Sequence, residues 1–401
     1  MAAIPSDLAF GKALSSVNIR RLPVRQSTDT QSYGASGKVT LVLPNDFYDG
    51  RGGYLSFFAQ LGLNGGTYAA FEYPIQSMFV HAQVYLGSTL LEDIDQSSIL
   101  FGIFKEASSY SSVANLGNEG YYDYATRKAQ SIAGRQYQVH LRLESLQQVI
   151  PLHKLKLPLR LVLTIGDISS FTTYDGGVPT FTISNIFWNY NIIQPDPAVD
   201  AVVDSQIASG NLKIRYHTMD NYNTVVGSAT SQTLLLPFKR KCVNSVLAVW
   251  RHTTDVNNVL VDGKFVDKYG NLGNIGGYLK VLNTLYPADK YDYNFNFGYL
   301  TLSQTFNQVM EPFFYAHERQ QDTFSAQTIA NRVVAAFDLR RDNSPQAAHL
   351  WDNGIDTSGS ANSQSLNFTY NALTLGLEYQ VFAIYESAYS ILPNGNILLD
   401  N

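Results

Sequence analysis

The sequence predicts an all-β protein built as two β-rich halves of similar size. Three observations carry this. Runs of alternating apolar and polar residues recur along most of the chain, the mark of strands with one buried face. Turn signals rich in Gly and Pro, such as PNDFYDGRGG, LNGG and YDGGVP, lie between them. Two long aromatic strands each stop at a proline, one in FTISNIFWNYNIIQPDP near mid-chain and one ending in SILPNGN.

Composition agrees with that class. Of 401 residues, 45% are hydrophobic and only 15% charged, against about 25% charged in an ordinary soluble domain. Surface polarity must therefore come from Asn, Gln, Ser, Thr and Tyr. The 26 Tyr and 22 Phe suit a β-rich protein with large contact surfaces. A net charge of -5 argues against coating nucleic acid by general basicity. The single cysteine, Cys242, excludes an intrachain disulfide framework and any multi-Cys metal site. The first residues lack the pattern of a secretory signal. No run approaches the ~18 apolar residues that would span a bilayer, so a soluble chain is expected.

Residues 1–37 read as an arm. Ser6 and Asp7 suit the cap of a short helix carrying Leu8, Leu14 and Val17. Lys12, Arg20, Arg21 and Arg25 make the segment basic, fit to touch a neighbour, an inner membrane or a genome. A first β region follows over 38–194. Val39, Leu41 and Leu43 alternate with Lys38, Thr40 and Val42; Met78, Val80, Ala82, Val84 and Leu86 with Phe79, His81, Gln83 and Tyr85; Tyr137, Val139, Leu141 and Leu143 with Gln138, His140, Arg142 and Glu144; and Leu157, Leu159, Leu161 and Leu163 with Pro158, Arg160, Val162 and Thr164. Its last strand is unusual. Phe181, Ile183 and Phe187 point one way, and Ile186, Trp188, Tyr190 and Ile192 point the other, so both faces are apolar.

Pro195 and Pro197 end that strand, and 195–203 reads as a linker. A second β region over 204–393 contains NLKIRYHTM, SQTLLLPF, NSVLAVWRH and GYLTLSQTF, and closes on a run in which Leu373, Leu375, Leu377, Tyr379, Val381, Ala383 and Tyr385 share a face. Within it, Ala326, Ala330, Val333 and Phe337 fall at helical spacing beside Ile329, with Thr323 or Ser325 as cap and Pro345 beyond. This predicts an inserted helix over about 325–339 that covers an open barrel end. Residues 394–401 are a tail.

Chemistry-bearing patterns are absent. The seven histidines show no metal-ligand spacing, and neither a metal site nor a cofactor is expected. GNLGNIGG lacks the lysine of a phosphate loop, VDGKFVDKYGN fails the EF-hand spacing, and no G-x-S-x-G elbow occurs. Asp93 and Asp95, in LEDIDQ, read as solvated loop charge. Lys239, Arg240 and Lys241 read as a partner-facing or solvated edge. Asn367 begins a glycosylation sequon without a signal peptide to support its use.

The layout resembles a family. IPLHKLKLPLRLVLTIGDISSF (150–171), FTISNIFWNYNIIQPDP, and FSAQTIANRVVAAFDLRRDN followed by LTLGLEYQVFAIYESAYSILPNG are similar to the ends of the two rolls in double jelly-roll major capsid proteins of tailless icosahedral DNA viruses. That family includes tectivirus-like phages, virophages, polinton-like viruses and large algal viruses. The likeness runs in outline from Lys38 to Pro393. It implies two consecutive eight-stranded antiparallel jelly rolls standing upright, with a few short helices. It further implies a structural, non-enzymatic homotrimer of pseudo-hexameric outline that tiles a virion shell and assembles inside the host cell. Implied partners are neighbouring capsomers, minor capsid or penton proteins, and an internal membrane reached by the arm, but no sequence-specific nucleic acid. On this reading the two-faced strand packs its second face on the other roll or the next chain. Ile186, Phe187, Trp188 and Tyr190 then form an interface, worth roughly 1.5–3 kcal/mol for the second aromatic face. Lys12, Arg20, Arg21 and Arg25 face inward. Two other classes fit an all-β chain: a β-sandwich receptor-binding or lectin-like protein, and a carbohydrate-active β-sandwich enzyme, which requires two carboxylates about 5–9.5 Å apart.

Overall fold

A computed structural model of the chain describes residues 20–28, 32–107, 117–120, 123–155, 157–262, 276–292, 334–342, 351–359, 364–369 and 376–400. The first half contributes strands β1 (Arg20–Ser27), β2 (Ser32–Tyr33), β3 (Lys38–Leu43), β4 (Phe47–Gly62), β5 (Ala69–Phe71), β6 (Phe79–Leu86), β7 (Thr89–Asp95), β8 (Arg135–Val139), β9 (Val149–Pro151), β10 (Leu159–Ile165), β11 (Thr172–Tyr174) and β12 (Thr180–Gln194). The second contributes β13 (Lys213–Val226), β14 (Ser231–Leu235), β15 (Val243–His252), β16 (Gly276–Val281), β17 (Thr284–Asp292), β18 (Val334–Asp338), β19 (Gln364–Thr369), β20 (Leu377–Ile391) and β21 (Ile397–Asp400).

The sheets repeat. In the first half, β1-β12-β4-β8 faces β3-β10-β6-β7; in the second, β13-β20-β15-β18 faces β14-β19-β16-β17. With the eight main strands of each half counted from its start, both halves read 1-8-3-6 against 2-7-4-5. Every pairing is antiparallel between neighbours in these sheets. This is the jelly-roll order, occurring twice. The period-2 reading holds where it was simplest: Leu159, Leu161, Leu163 and Ile165 of β10 are buried, with half-exposed residues between. Of the shared face expected from Leu373 to Tyr385, Leu377, Tyr379, Val381, Ala383 and Tyr385 lie in the interior of the second roll, and Leu373 and Leu375 lie outside the described residues.

Four expectations need correction. The first concerns the two-faced strand. Across from β4, Ser184 opposes Phe58 and Phe187 opposes Ser56, so β12 carries one extra residue there. Asn185 absorbs it with φ 51. A bulge of this kind inverts the parity of everything after it. Ile183, opposite Ala59, and Trp188, opposite Leu55, therefore point into the same core. Only Phe187 is left on the outer face. The PNDFYDGRGG turn signal has a related origin: it lies within β4, where residues 50–53 bulge out between Tyr54 and Asp49. Gly53 is required by close approach, since a Cβ there would lie 2.9 Å from Trp188 Cζ2.

Second, the part of the expected arm over 1–37 that lies within the described residues belongs to the first roll's sheet. Arg20–Ser27 is the strand β1, paired residue for residue with Gln194 back to Phe187. Third, the linker is a helix, Pro197–Ala208. The Asp196 carboxylate accepts from the Ala198 amide, Pro197 supplies the pre-set first turn, and Val199, Val203 and Ile207 are buried at i, i+4, i+8. His153 and Lys154 hold its Asp200 at 2.8 and 2.6 Å. Fourth, the helix expected over 325–339 gives way to β18 at its end, Val334–Asp338. Ala335 and Phe337 enter the second roll's core while Ala336 faces the first roll. Pairing with β15 over the full strand outweighs the weak helical spacing of alanines. The rest of the expected helix lies outside the described residues.

Candidate functional site

The second roll has two buried faces. Its own interior holds Val246, Ala248, Trp250, Phe337 and Tyr379. The alternate residues of the same sheet, Leu247, Val249, Ala336, Phe382 and Ile384, belong to a core shared with the first roll. The two-sided strand anticipated for β12 is thus found at β20. Strand β7 and the turn Glu144–Gln147 of the first roll lie against β13.

Polar groups pin this seam. Tyr216 Oη donates to the Leu91 carbonyl at 2.9 Å and accepts from Ser387 Oγ at 3.1 Å. His217 donates from its backbone amide and, at 2.9 Å, shares Nδ1 with Glu144 Oε2. Trp351 stacks on the His217 ring at 5.0 Å. Glu92, 2% exposed, accepts from the amide and hydroxyl of Ser145. Burial pushes the Glu92 carboxyl up to about 8 against the opposing pull of the Ser145 hydrogen bonds. Burial alone would lower His217, but the charge and hydrogen bond of Glu144 outweigh it and the net shift is upward. A second bridge sits elsewhere, where Arg127 pairs with Asp262 at 2.6 Å and the Tyr174 amide donates to the Val259 carbonyl.

The predicted interface residues separate. Ile186, Trp188 and Tyr190 are buried in the first roll. Trp188 Nε1 donates to Tyr48 Oη, which donates on to the Leu146 carbonyl, and Tyr190 packs against Tyr48 at 5.1 Å. Phe187 remains half-buried outside, under the Arg25 guanidinium at 4.2 Å. Arg21 pairs with the buried Asp49 at 3.0 Å. Arg20 lies opposite Gln194. Lys12 is outside the described residues. Asp93 and Asp95 are on strand β7 rather than in a loop, and Asp93 holds His81 at 2.6 Å. Arg240 is bidentate to Asp220, and burial pushes the Cys242 thiol up to about 12.

Sequence reasoning missed the seam. One signal was present: Glu92 shares the inward parity of Ile94 on β7, an unusual place for a carboxylate. Among the described residues, no group of three or more His, Cys, Asp or Glu is arranged to hold a metal ion.

Two jelly rolls of one strand order, joined through a buried sheet face, make this a double jelly-roll protein. Solved structures share that fold. The chain is similar to PBCV-1 VP54, whose crystal structure was fitted into a reconstruction of the virophage Sputnik, with a TM-score of 0.63 and 11% identity over 96% of this chain and 97% of that one. It is similar to the Faustovirus major capsid protein, with a TM-score of 0.60 and 8% identity over 96% and 91%. The quasi-atomic PBCV-1 virus capsid gives a TM-score of 0.62 at 12% identity over 96% and 97%. No protein-family model and no curated protein sequence matches the chain.

Proposed function

We propose that the chain is a viral major capsid protein that forms trimeric, pseudo-hexameric capsomers tiling an icosahedral shell. The carrying observation is the seam: two rolls of identical strand order are locked into one unit through an apolar sheet face. A shell needs such a rigid repeat, and a chain of two like rolls supplies six units from three copies. The fold shared with capsid proteins supports this reading. The role is structural and carries no catalytic step. Neighbouring capsomers and minor capsid or penton proteins are its partners. Residues 1–19, with Lys12, lie toward the inside of the shell, against a membrane where one is present. Of the expected interface set, Phe187, beside Arg25 of the expected inward set, is the part offered to a partner.

Native mass by light scattering, followed by electron microscopy, tests the proposal. Three copies per particle, or larger closed shells, are expected. A single chain at every concentration and salt condition overturns it.

A further inference from the structure

The junction between the rolls contains a closed circuit of hydrogen bonds built from three pairs of consecutive residues. Leu91 and Glu92 lie on β7, Glu144 and Ser145 in the turn after β8, and Tyr216 and His217 on β13. Glu92 accepts from the Ser145 amide at 3.1 Å and from the Ser145 hydroxyl. Glu144 accepts from the His217 amide and meets His217 Nδ1 at 2.9 Å. Tyr216 closes the circuit by donating to the Leu91 carbonyl at 2.9 Å. The His217 and Tyr216 links cross between the rolls. The Glu92 link ties β7 to the turn, and so holds both receiving groups of the first roll in one place.

That tie is built on a buried acid. Glu92 is 2% exposed, and the charged neighbour that acts on it is a second carboxylate, Glu144. Tyr216 on β13 and Tyr385 on β20 also face it, and burial keeps both phenols neutral. His217 is faced by Glu144 from the turn, by Glu386 from β20 and by Arg340 beyond β18. With Glu92 neutral, the circuit holds only the Glu144 and His217 pair. With Glu92 ionised, two carboxylates share one dry space, and the added charge reaches water only if the turn moves off β7. The rest of the junction has no such group: Leu247, Val249, Phe382 and Ile384 pack in a core common to both rolls, and their burial does not depend on protons.

We propose that the circuit is a proton-operated latch, closed while Glu92 is a neutral acid and opened when Glu92 ionises, freeing Tyr216 and His217 from the first roll while the common apolar core keeps the rolls attached. The junction then passes from fixed to compliant without either roll unfolding. The latch belongs to a single chain and does not depend on assembly. Its direction follows from proton linkage. In the closed latch burial pushes the Glu92 carboxyl from 4.5 up to about 8, and water restores the ordinary value when the latch opens. Closing therefore takes up one proton within that window, and the open fraction rises about tenfold for each pH unit across it.

Hydrogen exchange on the wild-type chain at pH 5 and pH 6, each rate divided by the intrinsic rate at that pH, tests the latch. His217 stays protonated over that interval, so Glu92 is the group that responds. The amides of Ser145 and His217 are donors in the circuit, and peptides over 143–148 and 215–219 report its opening. Peptides over 159–165 and 364–369 report the interiors of the two rolls. The circuit peptides are expected to lose about tenfold in protection from pH 5 to pH 6, with the interior peptides unchanged. In Glu92→Gln the circuit peptides are expected to keep equal protection at both values. Equal losses in all four peptides overturn the latch, because the chain then opens as a whole. Circuit protection that is the same at both values in the wild type also overturns it, and so does a Glu92→Gln chain that keeps the wild-type loss.

Discussion

Replacing Glu92 by Gln should flatten the pH dependence of stability. Glu92 sits at the seam with its carboxyl pushed from 4.5 up to about 8, chiefly by burial. An acid whose folded pKa is raised holds its proton more tightly in the folded state. Its stabilising contribution is complete below the unfolded pKa and is lost as pH rises through the folded one. A displacement from 4.5 to about 8, at about 1.36 kcal/mol for each pH decade, corresponds to a loss on the order of 5 kcal/mol between pH 4.5 and 8. His217 acts in the same sense. Its raised pKa makes the bond to Glu144 strongest below 6.5 and weaker as pH climbs through the folded value. The seam therefore loosens toward alkaline pH. Gln at position 92 keeps an oxygen for the Ser145 donors and removes the ionisation. Urea unfolding from pH 5 to pH 9 is the assay. The variant should match the wild type within about 1 kcal/mol at pH 5 and exceed it by several kcal/mol at pH 9. Parallel curves for the two proteins would refute the reasoning, because they would mean that Glu92 is already ionised in the folded state at neutral pH.

Three other outcomes are expected. Tyr216→Phe leaves the Leu91 carbonyl without its donor across the seam and should cost about 1–3 kcal/mol in denaturant unfolding. Trp188→Ala should cost about 3–5 kcal/mol because the indole fills the first roll's core; an unchanged melting temperature with assembly abolished would return Trp188 to an interface. Deleting Asn185 removes the bulge and turns Trp188 and Tyr190 outward, so no soluble folded protein should be recovered, whereas Asn185→Gly, at a position with φ 51, should be tolerated.

Much of the fold was legible from local pattern. The strands around Leu159–Ile165 and Leu377–Tyr385 followed directly from alternation, because a strand's two faces are set by odd and even positions. The resemblance supplied the double roll, and the strand orders match it. The misreadings share a cause. A bulge is one residue long and leaves no periodic trace, so β12 read as two-faced when its apolar residues converge on one core. The linker helix did have signals, Asp196 before Pro197 and valines at 199 and 203, but two close prolines suggested only a break. At Val334–Asp338 the alanines fit either a helix or a strand, and only the offered edge of β15 decided between them.

By itself, then, the sequence determined the all-β class, the division into two halves and most strand faces. All of these depend on neighbours a few positions apart. The tertiary structure decided what joins the halves. Tyr216 meets Leu91 across 125 positions, and His217 meets Glu144 across 73. No periodicity encodes such pairs. Their partners, their burial and the raised pKa of Glu92 arise only when one sheet face closes over another and excludes water from the groups between them.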